Sequence, residues 1–171
     1  MSNRSSAIRQ LALAGLIGAM YAVMSYFAAS FGVAFGPIQF RFSEALCVLP
    51  FLFPAAVPGL FAGCLVSNLL SPYGALDMIF GPLATLLAAV LTARCPHPLL
   101  APLPPVLCNA VIVGAVVAFE QTGFTAALPA SFLWNALSIG MSEAAVCFLL
   151  GGALLRALRR SRRFRGLQQN T

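Results

Sequence analysis

Residues 8–31 form one apolar run behind Arg4 and Arg9. It exceeds the roughly 20 residues that cross about 30 Å of hydrocarbon. A run of this kind either spans a bilayer or is removed as a signal peptide, whose apolar region usually holds only about 7–15 residues. The rest of the chain favours the bilayer. Of 171 residues, 60% are hydrophobic and 8% are charged, against about 25% charged in an ordinary soluble domain. Such a chain cannot cover a water-facing surface, and its apolar content excludes disorder. The expectation is an all-α integral membrane protein of one domain.

The charged residues remove several chemistries. All ten basic residues are arginine, the acids are Glu44, Asp77, Glu120 and Glu143, and His97 is the single histidine. A P-loop and a Schiff-base enzyme both need lysine, and a zincin helix needs two histidines. There is no G-x-S-x-G, G-x-G-x-x-G or C-x-x-C. The chain is therefore read as a non-enzyme, with no catalytic residue, no metal and no cofactor, and unable to hydrolyse ATP. Cys47, Cys64, Cys95, Cys108 and Cys147 lack metal-like spacing and read as small core hydrophobes.

Prolines and arginines set the expected topology. Pro50, Pro54 and Pro58 recur every four residues, and each proline inside a helix costs about 3 kcal/mol. They break the stretch 42–70 into two short helices with a turn near residues 51–57. Six spans are expected, at about 8–31, 43–52, 58–70, 76–92, 104–120 and 130–155, with Pro82 kinking the fourth. With the amino terminus inside, six spans place nine arginines in the cytoplasm and leave only Arg41 outside; five spans scatter them. The positive-inside rule selects six, with both termini cytoplasmic. The expected layout is a membrane domain of residues 1–160 with an arginine-rich tail, 156–171, that anchors at anionic headgroups rather than binding nucleic acid.

That topology sorts the polar residues by depth. Gln39, Arg41, Glu44, Asn68, Ser71, Tyr73, Asp77, Glu120, Gln121 and Asn135 fall near the outer ends of helices. Asn109 and Glu143 lie about a dozen residues further in, roughly 18 Å at 1.5 Å per residue. Ser131, Asn135, Ser138 and Ser142 make one stripe with Glu143 on its shoulder. A polar cavity is expected in the outer half, around Asn68, Asp77, Asn135 and Glu143, closed by the loop 32–40. An ionisable group inside hydrocarbon is a functional candidate. For Glu143 two readings stand: ligand contact, or a structural hydrogen bond to Asn109 or a serine. For Arg41 and Glu44 the choice lies between ligand contact and a local i, i+3 ion pair. His97 reads as a surface residue. On the first helix Ala14, Gly18 and Ala22, with Gly15 and Ala19, form a small-residue face. It serves either packing inside the bundle or docking of another membrane subunit.

The run GPIQFRFSEALCVLPFLFPAAVPGLFAGCLVSNLLSPYGALDMIFGPLATLLAA (36–89), with PLPPVLCNAVIVG (102–114), resembles the QueT family. Its members are substrate-binding S-components of energy-coupling factor (ECF) transporters, assigned to queuosine precursors. The similarity covers about residues 8–156. It implies a six-helix S-component bundle in the bacterial cytoplasmic membrane, with a solute pocket near the outer face. It also implies docking through the first helix onto a transmembrane T-component coupled to two ATPases. Gln39, Arg41, Glu44, Asn68, Tyr73 and Asp77 are the motif positions it offers as ligand contacts. The nearest matches to the family's first-helix alanine–three residues–alanine motif are Ala14–Gly18 and Gly15–Ala19. A 7-deazaguanine base presents adjacent N–H donors and a carbonyl. A carboxylate and an arginine or amide satisfy these groups, and its face suits stacking on Tyr73 or Trp134. The competing function is a stand-alone proton-coupled carrier in which Glu143 titrates. A paired-acid enzyme using Asp77 and Glu143 is disfavoured by their separation in depth.

Overall fold

The computed structural model describes residues 2–32, 34–35, 40–69 and 71–161. Gln39 and the tail arginines Arg162, Arg163 and Arg165 lie outside the described residues. Those described form six helical elements and no strand: α1 (Ser2–Ser30), a 3₁₀ helix (Phe42–Phe51), α2 (Ala56–Asn68), α3 (Gly74–Ala93), α4 (Leu103–Thr122) and α5 (Leu128–Arg160). Four of them, α1, α3, α4 and α5, are long and apolar enough to cross a membrane; the 3₁₀ helix and α2 are shorter apolar helices.

Local sequence explains the boundaries. α1 ends where Gly32 adopts a φ of +71°, a region open to glycine at no steric cost. The 3₁₀ helix and α2 are separated by a turn at residues 52–55, where Leu52 and Phe53 both donate to the Leu49 carbonyl. Pro58 then falls in the first turn of α2, where its missing N–H is harmless. Gly74, at φ +63°, opens α3, which runs on through Pro82. α4 and α5 each contain a π-helical stretch, at Asn109–Val113 and Ala145–Gly151, a feature often found at functional positions.

The 3₁₀ helix is the centre of the bundle. Ser43 through Pro50 are all buried, which makes a ten-residue 3₁₀ run tolerable although such runs rarely exceed 3–4 residues. Its rise of about 2.0 Å per residue carries ten residues roughly 20 Å, against 15 Å for an α-helix. Val48 and Ala45 lean on Gly151 of α5, where an added Cβ would lie 2.9 Å from Val48 Cγ1 and 3.2 Å from the Ala45 oxygen. Leu46, Cys47 and Leu49 join Ile17, Tyr21, Leu60 and Cys64 in the main apolar core.

The α1–α2 seam is built from glycine. An added Cβ on Gly18 would stand 2.8 Å from the Gly59 oxygen, and one on Gly63 would stand 2.6 Å from the Gly18 oxygen. The two backbones are therefore in contact, as small residues allow in lipid. Ala14 and Gly18 are buried in this seam, whereas Gly15 and Ala19 are exposed. The exterior of the bundle is apolar: Leu16, Val23, Phe27, Leu87, Leu137 and Met141 all point outward. Polar side chains are turned inward instead, including Arg41, Glu44, Asn68, Asp77, Asn109, Asn135 and Glu143. This inverted distribution suits a hydrocarbon solvent, in which polar groups must find partners inside the protein.

Candidate functional site

Arg41 is the organising residue. It caps the 3₁₀ helix with an extended backbone, φ −85° and ψ 102°, so its side chain leaves the helix rather than lying along it. Nε donates to the Ala34 carbonyl at 2.7 Å, and the guanidinium lies 4.6 Å from the centre of the Phe35 ring. Nη1 donates to Asn68 Oδ1 at 3.4 Å, and Nη2 stands 3.9 Å from Asp77 Oδ2. Only 5% of Arg41 and 1% of Asp77 remain exposed. The pair is buried yet too long for a hydrogen bond. Among the described residues, Arg41 Nη2 and Asp77 Oδ1 have no hydrogen-bond partner.

Asn68 and Ser71 hold the acid in place. Asn68 Nδ2 donates to the Asp77 backbone carbonyl at 3.0 Å, and Ser71 Oγ donates to Asp77 Oδ2 at 2.5 Å. Asp77 sits in the first turn of α3, where the helix dipole favours negative charge. Gly81, one turn on, leaves the space that Asn68 fills; a Cβ there would collide with Asn68 Nδ2. Tyr73 precedes α3 and is half-buried. Burial, followed by the Asp77 charge, pushes its phenol above the usual range, so it stays a neutral hydroxyl.

A second cluster lies against the first. Tyr21 donates its hydroxyl to Glu44 Oε1, and Cys47 donates to Glu44 Oε2 at 3.0 Å. Cys147 Sγ lies 3.5 Å from the Glu44 carbonyl and 3.7 Å from Glu143 Oε2. Asn109 is the other side-chain partner of Glu143, and Glu44 and Arg41 are the charges acting on it most strongly. Arg41 likewise interacts with both Asp77 and Glu44. The two clusters are thus one buried network with four ionisable members.

Three sequence expectations change. The local Arg41–Glu44 ion pair does not form, because the extended backbone at Arg41 sends its guanidinium to Asn68 and Asp77. The separation in depth between Glu44 and Glu143 also fails, since Cys147 touches both residues. The segment before the 3₁₀ helix is itself enclosed: Ala34 is fully buried with its carbonyl bound to Arg41, so the helix begins inside the bundle rather than at its exterior. Trp134 is 66% exposed on the outer face of α5 and is not an internal stacking platform.

Asn135 lies in a separate set of hydrogen bonds, and its Oδ1 also has no partner among the described residues. Its Nδ2 donates to Gln121 Oε1 at 2.9 Å and to the Ser131 carbonyl at 2.8 Å, while Ser131 Oγ donates to the same Gln121 oxygen at 3.0 Å. Among the described residues this α4–α5 clasp shares no hydrogen bond with the Arg41 network. Glu120 is exposed. Tyr21, Cys47 and Cys147 were missed as site residues. For Tyr21 the signal was a phenol inside an apolar run, since a buried tyrosine hydroxyl usually finds a partner. The cysteines are buried as expected, but their thiols donate to the acids.

A groove of about 770 Å³ runs along the outside of the glycine seam, lined by Gly15, Ala19 and Ala22 of α1 with Ala55, Ala62 and Val66 from the α2 side.

A family model described as QueT transporter matches residues 11–160. The queuosine precursor transporter QueT of Lactococcus lactis subsp. cremoris (strain MG1363) is 34% identical over 71 residues. That match covers 42% of this chain and 41% of the relative. No solved structure matches.

Proposed function

Because the chain belongs to the QueT transporter family, we propose that it is a solute-capture subunit, an S-component, for queuosine precursors of the 7-deazaguanine type. The observation carrying this reading is the buried Arg41–Asn68–Asp77 set with its unpaired donor at Arg41 Nη2 and unpaired acceptor at Asp77 Oδ1. A lactam edge places an N–H beside a carbonyl. The N–H pairs with a carboxylate oxygen and the carbonyl with a guanidinium N–H. Both protein groups are held from behind, Asp77 by Ser71 and Arg41 by Ala34 and Asn68, so little ordering is needed when the solute arrives. Tyr73, half-buried before α3, and Gln39 are retained as contacts in this reading. Asn135 is assigned to the clasp that fixes α4 against α5.

The six helical elements would all cross the bacterial cytoplasmic membrane, the 3₁₀ helix and α2 as a short hairpin, with both termini and the arginine-rich tail inside. The chain carries no P-loop lysine, and the energy source in this reading is a partner: a T-component with two ATPases. Gly15, Ala19 and Ala22 are the docking row, the more exposed part of a groove that Ala14 and Gly18 also line from the seam. Uptake of labelled precursor, in cells with and without the energy module, tests this reading. Import should fall to background without the ATPases. Undiminished uptake would reject it in favour of the proton-coupled carrier.

A further inference from the structure

We propose that the groove between α3 and α4 binds one phospholipid whose headgroup carries a primary amine, as in phosphatidylethanolamine. This site lies outside the solute network and does not depend on which solute is captured. The argument begins with shape. A groove of about 600 Å³ opens on the exterior of the bundle, lined by Leu76 and Leu83 of α3, by Val111, Ala115 and Phe119 of α4, and by Phe124. Every side chain lining it is apolar. From Val111 to Phe119 the helix rises about 12 Å at 1.5 Å per residue, close to the roughly 15 Å of hydrocarbon in one leaflet. A partner helix is about 10–12 Å wide with its side chains, so over that length it would displace roughly 900 Å³. The groove holds less than that. A single hydrocarbon chain is slimmer and fits along it.

An independent observation at one end of the groove specifies the headgroup. Gly123, at φ +59°, ends α4, and Phe124 returns against Phe119 with ring centres 4.8 Å apart in an edge-to-face contact. Phe124 is still 90% exposed, so it forms a wall at the mouth that the protein covers on one side only. Glu120 stands one turn beyond Val116 and two beyond Ile112 on α4, and both of those residues line the groove. It therefore continues a groove-lining row at the mouth. Glu120 is exposed, makes no ion pair among the described residues, and is the one acid of four outside the buried network. Lipid tails are as apolar as leucine, so hydrocarbon alone gains nothing by leaving the bilayer for the groove. Fit holds the chain, and charge selects the head. An ammonium donates N–H bonds to the Glu120 carboxylate, whereas the net negative head of phosphatidylglycerol is repelled by it.

The test is native mass spectrometry of the full chain, released from detergent micelles holding equimolar dioleoyl-phosphatidylethanolamine and dioleoyl-phosphatidylglycerol. Their acyl chains are identical, so only the headgroup differs. The monomer should retain one phosphatidylethanolamine in preference to phosphatidylglycerol by at least about fourfold, as for a well-placed exposed ion pair. Glu120→Gln should bring that ratio to within about 1.5-fold of parity. Ala115→Trp fills the groove from an exposed position and should lower retention of both lipids by at least about threefold, through loss of close contacts. Equal retention of the two lipids by the wild-type protein would overturn the amine-headgroup site. So would a preference that survives Glu120→Gln. Undiminished retention in Ala115→Trp would remove the lipid from this groove, and a lipid-free wild-type dimer would give the groove to a second copy of the chain. The wild-type comparison decides the matter even if a variant fails to fold.

Discussion

Replacing Gly63 by alanine adds one methyl group to the α1–α2 seam, and its cost follows from the geometry. The new Cβ would lie 2.6 Å from the Gly18 oxygen, 2.9 Å from Tyr21 Cβ and 3.0 Å from Gly18 Cα. Two of the three contacts are with backbone, which cannot swing away as a side-chain tip can. Restoring ordinary contact at about 3.4 Å would push the helices apart by several tenths of an ångström and loosen the packing on both sides. Overpacking of this kind costs about 1–3 kcal/mol, and the backbone contacts place this case near the upper end. For a chain of this size that corresponds to a fall in Tm of roughly 4–12 °C. Gly15→Ala is the matched control. Nothing lies within 4 Å of its added methyl, and alanine is favoured over glycine in a helix by up to about 1 kcal/mol. Thermal unfolding in detergent, followed with a thiol-reactive dye that reports exposure of the buried Cys47, Cys64, Cys108 and Cys147, measures both. A Gly63→Ala variant melting within 1 °C of wild type, or a Gly15→Ala variant falling as far, would refute the seam.

Further outcomes follow from the same contacts. Gly15→Leu should leave Tm and precursor binding of the isolated subunit unchanged while abolishing co-purification with the energy module; retained co-purification would remove this row from the docking face. Tyr21→Phe deletes a donor to Glu44 and should cost about 1.5–3 kcal/mol in stability, as for a hydrogen bond to a charged group, readable by the same melting assay. Asn68→Ala should weaken precursor binding at least tenfold, whereas Asn135→Ala should lower Tm with binding held within about threefold; calorimetric titration of both variants separates the network from the clasp. Gly81→Ala should mimic Asn68→Ala in binding, because its methyl takes the space of the Asn68 amide.

The amino-acid sequence disclosed the helical elements well because its strongest signals are local. Proline at positions 50, 54 and 58 interrupts any long helix, and the turn at residues 52–55 falls within that interval. The 3₁₀ geometry of Phe42–Phe51 was hidden, since nothing in FSEALCVLPF distinguishes a 3₁₀ run from an α-helix until neighbouring helices enclose it. The acids and amides were recognisable as functional candidates from their scarcity. Their grouping was not. Depth counted from helix ends assumes that every helix starts at the membrane surface. Ala34 and Arg41 are instead enclosed within the bundle, and Cys147 reaches both the Glu44 carbonyl and Glu143, so the count fails. Tyr21 and the two thiols escaped notice for a related reason: their role depends on which acid faces them across the bundle, which spacing along one helix does not encode.

Tyr21 lies three residues beyond Gly18 on the same helix, and its hydroxyl grips Glu44. α1 therefore faces two ways, toward the buried acid through Tyr21 and, through Gly15, Ala19 and Ala22, toward the groove where a partner is proposed to dock. A load applied outside travels less than two helical turns and one hydrogen bond before it reaches the carboxylate. In the proposed complex, docking on the outside and capture on the inside would be joined by a single helix, with no intervening loop to absorb a displacement.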